Sequence, residues 1–388
     1  NMNVLSSDIR LHVERMQTTL KEEGIDAFIG ASSVDTLYFF GQVFSGLVYI
    51  PQQGEPIYLI RRPQSFGEHQ GLHYIRKIEQ LSEIVDLTNI SKIALETDEL
   101  PYSDIERQKK MFHQAEVFNG TALFRKIRMV KTPYEIAEIR KNCLKHIAVY
   151  EKVKQIYRAG MSDTELQIEI EHLMRQGGSI GLFRCFGSLM EFHMGSLLSG
   201  NNADAASPYD FALGGGGTEA LPLGGNGSPL KDGQAIMLDM AGNYGVYLSD
   251  ISRTYSIGKL PEEAYRLHEL SRRMHREVMQ TAKPGTSCSS IYLACLEMAK
   301  QEKAEQYFMG HSSQAQFVGH GLGLQINELP VLTTRSKDVL QEGMIIAFEP
   351  KFVLPEVGAV GIENTYLITS DGVENLSPMS EDIVDLNS

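Results

Sequence analysis

Hydrophobic and polar positions change their spacing several times along the first 120 residues. Residues 7–23 place apolar side chains at helical intervals, and residues 27–31 form an apolar run as short as a strand. Two further apolar runs, 47–50 and 57–60, flank a turn rich in proline and glycine and predict a hairpin. Because helix-like and strand-like segments continue to alternate, the pattern predicts a small α/β domain.

A helix start marks the beginning of a second domain. Thr132 is followed by Pro133 and, at the third helical position, by Glu135, which is the arrangement of a capping box. The segment opens an amphipathic helix that is predicted to run to about residue 156. We therefore predict two domains, spanning residues 1–127 and 128–388.

The second domain contains a faint internal repeat. A helix, a glycine-containing connection at 159–162 and another helix recur later as a helix, a connection at 284–287 and a helix. Each helical pair precedes a glycine-rich segment and a strand hairpin. The repeat predicts two related halves that face each other, and the chain as a whole is predicted to be of the α+β class.

Two aspartates lie in a predicted hairpin at 235–255. Folding this segment about the bond between Tyr244 and Gly245 brings Asp239 directly opposite Asp250, with Cβ atoms about 4.5–5.5 Å apart. Two like charges at ~4 Å repel by about 4 kcal/mol at an effective dielectric near 20, and a cation between them removes that repulsion. In the alternative interpretation, one aspartate faces solvent or the register differs by one residue.

The second half of the domain offers a similar pair of acids. Glu349 ends one apolar strand and Glu363 lies in another, and the two are symmetric about a turn at 354–358, so they could oppose each other. His320 stands among glycines, where a neutral imidazole could bind a metal, although such a histidine alone is more often a loop residue. Four carboxylates and one imidazole suit two divalent ions, chosen from Mn, Zn, Co and Fe.

Composition narrows the compartment and the class of partner. With 388 residues, 42% hydrophobic and 22% charged, the chain has the make-up of a globular protein. Its net charge of −13 disfavours a nucleic-acid partner. The four cysteines form no CxxC pair and are expected to be thiols. No apolar run reaches ~18 residues and no signal-like N-terminus is seen, so we expect no membrane association and a cytoplasmic location.

The motifs, taken in order, resemble those of the pita-bread metalloenzymes. This family includes Xaa-Pro aminopeptidases, prolidases and methionine aminopeptidases, with creatinase as a metal-free relative. The resemblance covers about residues 130–370, and the preceding domain resembles the creatinase/prolidase N-terminal domain. The resemblance implies a homodimer. It also implies that Asp250 and Glu363 bridge toward both metals. The metal ligands that it implies are Asp239, Asp250, His320, Glu349 and Glu363.

Several positions depart from the family pattern. Leu223 and Asn327 stand where the family's peptidases usually carry histidines, and Gly361 stands where an arginine is frequent. Asn327 can donate a hydrogen bond but cannot carry a proton. A long glycine-rich segment at 199–217 precedes the first acidic hairpin. His193, just upstream, could replace a missing histidine, although a partly buried structural histidine is the simpler interpretation.

These observations favour a two-metal hydrolase that cleaves a peptide bond before proline, either an Xaa-Pro aminopeptidase or a dipeptidase. Glu349 is the candidate that takes and returns the proton, and Asn327 and His193 are further catalytic candidates. Two alternatives stay open, because a fold does not fix a function. One is a non-peptide small-molecule hydrolase or lyase on the same fold, and the other is a non-catalytic metal-binding relative.

Overall fold

Two parts of the chain form separate units, Asn1–Arg128 and Met129–Ser388. The computed structural model describes residues 2–187 and 194–388, with the side chains of residues 2–5 excepted. None of the described helices combines the length and apolar character needed to cross a membrane.

A mixed sheet forms the centre of the N-terminal unit, as the alternating pattern predicts. Its strand order is β4-β3-β2-β1-β5-β6, with β1 antiparallel to β2 and parallel to β5. The predicted hairpin is present as the β2–β3 pair. The strands are β1 Ala27–Gly30, β2 Ser45–Pro51, β3 Ile57–Arg62, β4 Leu72–Tyr74, β5 Lys92–Leu95 and β6 Glu116–Asn119. The helices are α1 Met2–Glu23, α2 Ser33–Phe40, α3 Tyr102–Met111 and α4 Gly120–Ile127.

The C-terminal unit begins with the predicted capping box. The Thr132 hydroxyl accepts a hydrogen bond from the Glu135 amide, and the Glu135 carboxylate accepts one from the Thr132 amide. The first helix ends at Tyr150, earlier than predicted, and a short helix follows it. The helices of this unit are α5 Pro133–Tyr150, α6 Val153–Ile156, α7 Asp163–Gln176, α8 Glu262–Glu277 and α9 Cys288–Gln301.

The strands of this unit form two sheets and a separate ribbon. The first sheet has the order β17-β9-β8-β7, the second β11-β10-β12-β15-β16, and the ribbon is β13-β14. A pair of longer helices precedes each sheet along the chain, in agreement with the internal repeat. The strands are β7 Gly195–Ser199, β8 Ala235–Gly242, β9 Ser249–Ser256, β10 Phe317–Gly321, β11 Glu328–Thr333, β12 Ile345–Phe348, β13 Lys351–Leu354, β14 Gly358–Gly361, β15 Asn364–Ile368, β16 Val373–Asn375 and β17 Val384–Asp385.

Each sheet has its own apolar core. Side chains of α5 and α7, such as Ile147 and Ile170, are buried with Leu238 of the first sheet. Side chains of α8 and α9 are buried with those of the second sheet in a larger cluster. The two sheets meet at a bridge in which Ser252 and Glu363 exchange backbone hydrogen bonds of 3.4 and 3.2 Å. This junction positions the acidic residues.

Candidate metal centre

The β8–β9 hairpin carries the two aspartates on one face, but not directly opposite each other. Asp239 pairs with Ser252, and Asp250 pairs with Ala241. The predicted direct opposition is wrong by two residues, because the connection spans 243–248 and is anchored to α5 by a hydrogen bond rather than forming a tight turn. A two-residue offset preserves the face, since side chains alternate with a period of two. The aspartates therefore lie diagonally on the same side of the sheet.

Glu349 and Glu363 lie at the point where two strand ladders meet. The β12–β15 ladder ends at the pair Phe348–Asn364, one residue away from Glu349 and Glu363. The β13–β14 ladder begins on their other side, at the pair Lys351–Gly361. Both ladders have the register that the predicted opposition requires. Carboxylate oxygens of Glu349, Glu363 and Asp239 lie within 4.8 Å of one another.

His320 reaches the acids from β10, in the second sheet. Its Nε2 atom lies 3.2 Å from a Glu349 carboxylate oxygen and 3.7 Å from one of Asp250. Its Nδ1 atom lies 3.0 Å from the Gly321 carbonyl oxygen, so a proton on Nδ1 leaves Nε2 to face the carboxylates. The neighbouring glycines have a packing role, because a Cβ at Gly319 or Gly321 would lie 2.4 or 2.1 Å from a carbonyl oxygen of an adjacent strand.

Within the described residues, two groups of side chains could each hold a metal ion. One consists of Asp250, His320 and Glu363, and the other of Asp239, Glu349 and Glu363. All five are the residues predicted as ligands, and Asp239 is the most exposed of the four acids, with a quarter of its side chain accessible. The structure thus brings the five predicted ligands together, with Glu363 common to both groups.

A lysine that the sequence analysis did not identify lies among these acids. Lys351 is completely buried, and its Nζ atom lies 2.8 Å from a carboxylate oxygen of Asp239, 3.3 Å from one of Glu349 and 3.7 Å from one of Glu363. A signal was present in the sequence. A single lysine stands in an otherwise apolar strand two residues after Glu349, the spacing that puts two strand side chains on one face.

Burial and mutual repulsion change the proton affinities of the site. Burial, then repulsion from Asp239, raises the pKa of Asp250 well above its usual range, and burial raises the pKa of Glu363 in the same way. Burial opposes the ionised form of Glu349, but attraction to Lys351 and His320 prevails and lowers its pKa to about 2. For His320, burial is outweighed by the bond to Glu349, and its pKa rises to about 9. Metal binding must therefore displace protons.

Surrounding hydrogen bonds fix Glu363 and leave one of its oxygens for a ligand. The Ser252 hydroxyl donates a bond of 2.6 Å to Oε2, and the Arg253 guanidinium donates one of 2.8 Å to the backbone carbonyl of Glu363. The Oε1 atom is buried and has no hydrogen-bond partner among residues 2–187 and 194–388. A buried carboxylate oxygen without a partner is costly, and beside Asp250 and His320 it fits a divalent ion.

The positions that depart from the family pattern are not alike in structure. Leu223 is buried, and the Asn327 side chain both donates to and accepts from the backbone of Phe186 at 2.7 Å, so its amide holds a loop. A Cβ at Gly361 would lie 2.6 Å from a carbonyl oxygen, which explains why no side chain stands there. His193, the other catalytic candidate, lies outside the described residues.

The glycine-rich segment 199–217 is hydrogen-bonded to the loop that precedes β10 and lines a cavity. Asp204 accepts hydrogen bonds from the Ser312 amide and hydroxyl at 2.7 and 2.6 Å. The cavity, of about 530 Å³, lies between this segment and strands β10 and β11, and Phe317 is part of its wall. The Phe317 ring is 6.5 Å from the His320 ring, so one residue of the cavity wall lies near a residue of the candidate metal centre.

Comparison with known proteins agrees with this arrangement. Residues 137–370 match the model of metallopeptidase family M24, and residues 12–130 match that of the creatinase/prolidase N-terminal domain. An Xaa-Pro dipeptidase of Pyrococcus furiosus is 26% identical over 378 residues, which cover 96% of this chain and 99% of the relative.

Solved structures show the same fold. An Xaa-Pro dipeptidase from Bacillus anthracis has a TM-score of 0.80 at 24% identity, covering 97% of this chain and 99% of that one. The prolidase from Pyrococcus horikoshii has a TM-score of 0.78 at 22% identity, covering 96% and 99%. The predicted fold and family resemblance are confirmed, and the chain belongs to metallopeptidase family M24.

Proposed function

We propose that this protein is a metal-dependent peptidase that cleaves the peptide bond before proline. The observation that carries the proposal is the cluster of the buried acids Asp250, Glu349 and Glu363 with the largely buried His320, in which one carboxylate oxygen of Glu363 has no hydrogen-bond partner among the described residues. Its support from relatives is the Xaa-Pro dipeptidase of Pyrococcus furiosus, similar over nearly its whole length. A dipeptidase is therefore favoured over an aminopeptidase.

The proposed metal centre is built from the five residues predicted from the sequence. Oxygen-rich donors with one imidazole suit Mn, Zn, Co or Fe. A bound divalent ion would polarise the scissile carbonyl and lower the pKa of a water molecule. That two ions bind stays a prediction, and the position of Lys351 among the acids affects how many ions the site can hold.

The chain's own residues supply the proton transfer and the substrate site. Glu349, between His320 and Lys351, is the proposed carrier of the proton between water and the leaving amine. Because the Asn327 amide is engaged with the backbone of Phe186, we assign it to the support of the loop rather than to the substrate. The cavity of about 530 Å³ is of the size that small-molecule sites have, and it is the proposed substrate pocket.

A second candidate function is hydrolysis or elimination on a non-peptide small molecule. The observation in its favour is Leu223, a buried apolar residue where family peptidases usually carry a histidine. Removing one donor to the oxyanion typically costs about 10²–10³ in rate, so a substrate with less need of that donor would suit this site. A non-catalytic role is disfavoured, because a buried acidic cluster without a task is expensive to keep. The homodimer and the cytoplasmic location stay predictions.

A substrate panel tests the proposal. The protein, loaded in turn with Mn²⁺, Zn²⁺, Co²⁺ and Fe²⁺, is assayed against Xaa-Pro dipeptides, Xaa-Pro tripeptides and the matching Xaa-Ala peptides. We expect turnover of the Xaa-Pro dipeptides, its loss in His320→Ala, and its retention in His172→Ala, since His172 lies exposed on α7. Metal-loaded protein that cleaves no Xaa-Pro peptide would favour the second candidate.

A further inference from the structure

We propose that the Lys351 ammonium permanently occupies one of the two cation positions, so that the centre binds a single divalent ion at Asp250, His320 and Glu363. The inference rests on the proposed metal centre but not on the proposed substrate. It would make this site a mixed pair of cations, one exchangeable and one covalently attached to the chain.

The first step is the coincidence of two sets of residues. The carboxylate oxygens nearest to Lys351 Nζ lie at 2.8, 3.3 and 3.7 Å and belong to Asp239, Glu349 and Glu363, respectively. The same three residues make up one of the two groups that could hold an ion. The ammonium is hydrogen-bonded to Asp239 and Glu349 and forms an ion pair with Glu363, so it fills the space where a metal ion would have to bind these three residues.

The second step is that, within the part of the chain that the structure describes, the ammonium forms ion pairs with these three acids alone. Lys351 begins β13, where its backbone pairs with Gly361 and its carbonyl accepts a 2.8 Å bond from the Met309 amide. Met309 and Phe352, which flank it, are buried and carry no charge. If a second metal ion expelled the ammonium from the acids, a buried charge would be left without a counter-ion, which proteins avoid.

The third step is the balance of charge. Two divalent ions already neutralise four carboxylates, and Lys351 would then add a surplus positive charge to a buried site. One divalent ion together with the ammonium leaves only one net negative charge. The two arrangements each depart from neutrality by one charge, so with Lys351 present the balance of charge no longer requires a second divalent ion.

The remaining group stays available for a metal. Among the described residues, no ion pair of 4.0 Å or less joins Lys351 to Asp250. Glu363 Oε2 faces Lys351 and accepts a hydrogen bond from the Ser252 hydroxyl, whereas Oε1 has no hydrogen-bond partner in the part of the chain that the structure describes. Oε2 of Glu363 is thus assigned to the ammonium of Lys351, and Oε1 is assigned to the exchangeable metal ion.

Metal stoichiometry tests the inference without reference to activity. Full-length protein is reconstituted with excess Mn²⁺ and dialysed, and bound metal is measured by elemental mass spectrometry. We expect about one equivalent per chain for the natural protein and about two for Lys351→Ala, in which the second position is opened. Lys337→Ala, which changes an exposed lysine, should keep the natural value. Electron paramagnetic resonance should show isolated Mn²⁺ in the natural protein and an exchange-coupled pair in Lys351→Ala.

The possible outcomes separate the claims. Two equivalents in the natural protein, or a coupled Mn²⁺ pair, would overturn the inference even if Lys351→Ala failed to fold. One equivalent in both the natural protein and a folded Lys351→Ala, checked by circular dichroism, would overturn it as well. No bound metal at all would overturn the metal centre itself. One equivalent without cleavage of any Xaa-Pro peptide would leave the inference standing and reject the proposed substrate.

Discussion

Replacing Lys131 with methionine should destabilise the C-terminal unit strongly. Lys131 Nζ donates a 2.9 Å hydrogen bond to Glu328, and the two side chains are only 1% and 2% exposed. The other oxygen of Glu328 accepts the amides of Leu324 and Gln325 at 2.9 and 3.1 Å. The ion pair therefore secures the turn that follows His320.

The magnitude follows from which partner is removed. Breaking a buried ion pair from one side typically costs about 3–5 kcal/mol, because the remaining charge stays buried. Since Glu328 keeps its two backbone donors, we expect the lower end, about 3 kcal/mol. For a unit of this size that corresponds to a fall in Tm of roughly 6–12 °C. Adding Glu328→Gln removes the stranded charge and should recover part of the loss.

Thermal and urea unfolding, followed by circular dichroism, would measure the effect. Lys141→Met is the matched control, because the pair of Lys141 with Glu138 is an exposed helical one and should be worth less than about 1 kcal/mol. The reasoning is refuted if Lys131→Met loses no more stability than Lys141→Met. It is also refuted if the double variant is less stable than Lys131→Met alone.

Three further outcomes can be measured on the same protein. Burial lowers the pKa of His146 and His275 to about 3 and of His268 to about 4, below the usual 6.5, so the unfolded chain binds more protons between these values. Stability should therefore fall as the pH drops below about 6.5, by about 2 kcal/mol per histidine at pH 5, and an unfolding midpoint that is flat from pH 7 to 5 would contradict this. Gly321→Ala should abolish soluble folded protein or metal binding, because its Cβ would lie 2.1 Å from the Leu329 carbonyl, whereas Gly245→Ala, with open space around it, should not. Removing metal with a chelator should lower the Tm of the C-terminal unit, with Mg²⁺-saturated chelator as the control, and equal midpoints would argue against a metal centre.

Much of the fold, and the convergence of the five candidate ligands, could be predicted from the sequence because they depend on local patterns. The capping box, the hairpins and the paired acids are each written in a few neighbouring residues, such as Thr132 to Glu135. Symmetry about the turn at 354–358 also gave the correct register for Glu349 and Glu363, because that ladder has no bulge.

The errors arose where distant parts of the chain decide. The register of Asp239 and Asp250 depends on a connection anchored to α5, which the hairpin sequence does not reveal. Lys351 was missed because its partners come from three segments, and only their convergence shows that its ammonium is paired. The contact of Asn327 with Phe186, which spans 141 residues, could likewise not be predicted from the sequence.

The continuous register on both sides of Glu349 and Glu363 has a consequence for metal selectivity. Their separation is set by the distance between two paired strands, about 4.5–5.5 Å, rather than by the radius of an ion. Backbone pairing therefore fixes the spacing of the two glutamates, and this spacing does not depend on a bound metal. Ions of different radius can be accommodated only by rotation of the side chains. We therefore expect the identity of the bound metal to depend more on which metal is available than on its radius.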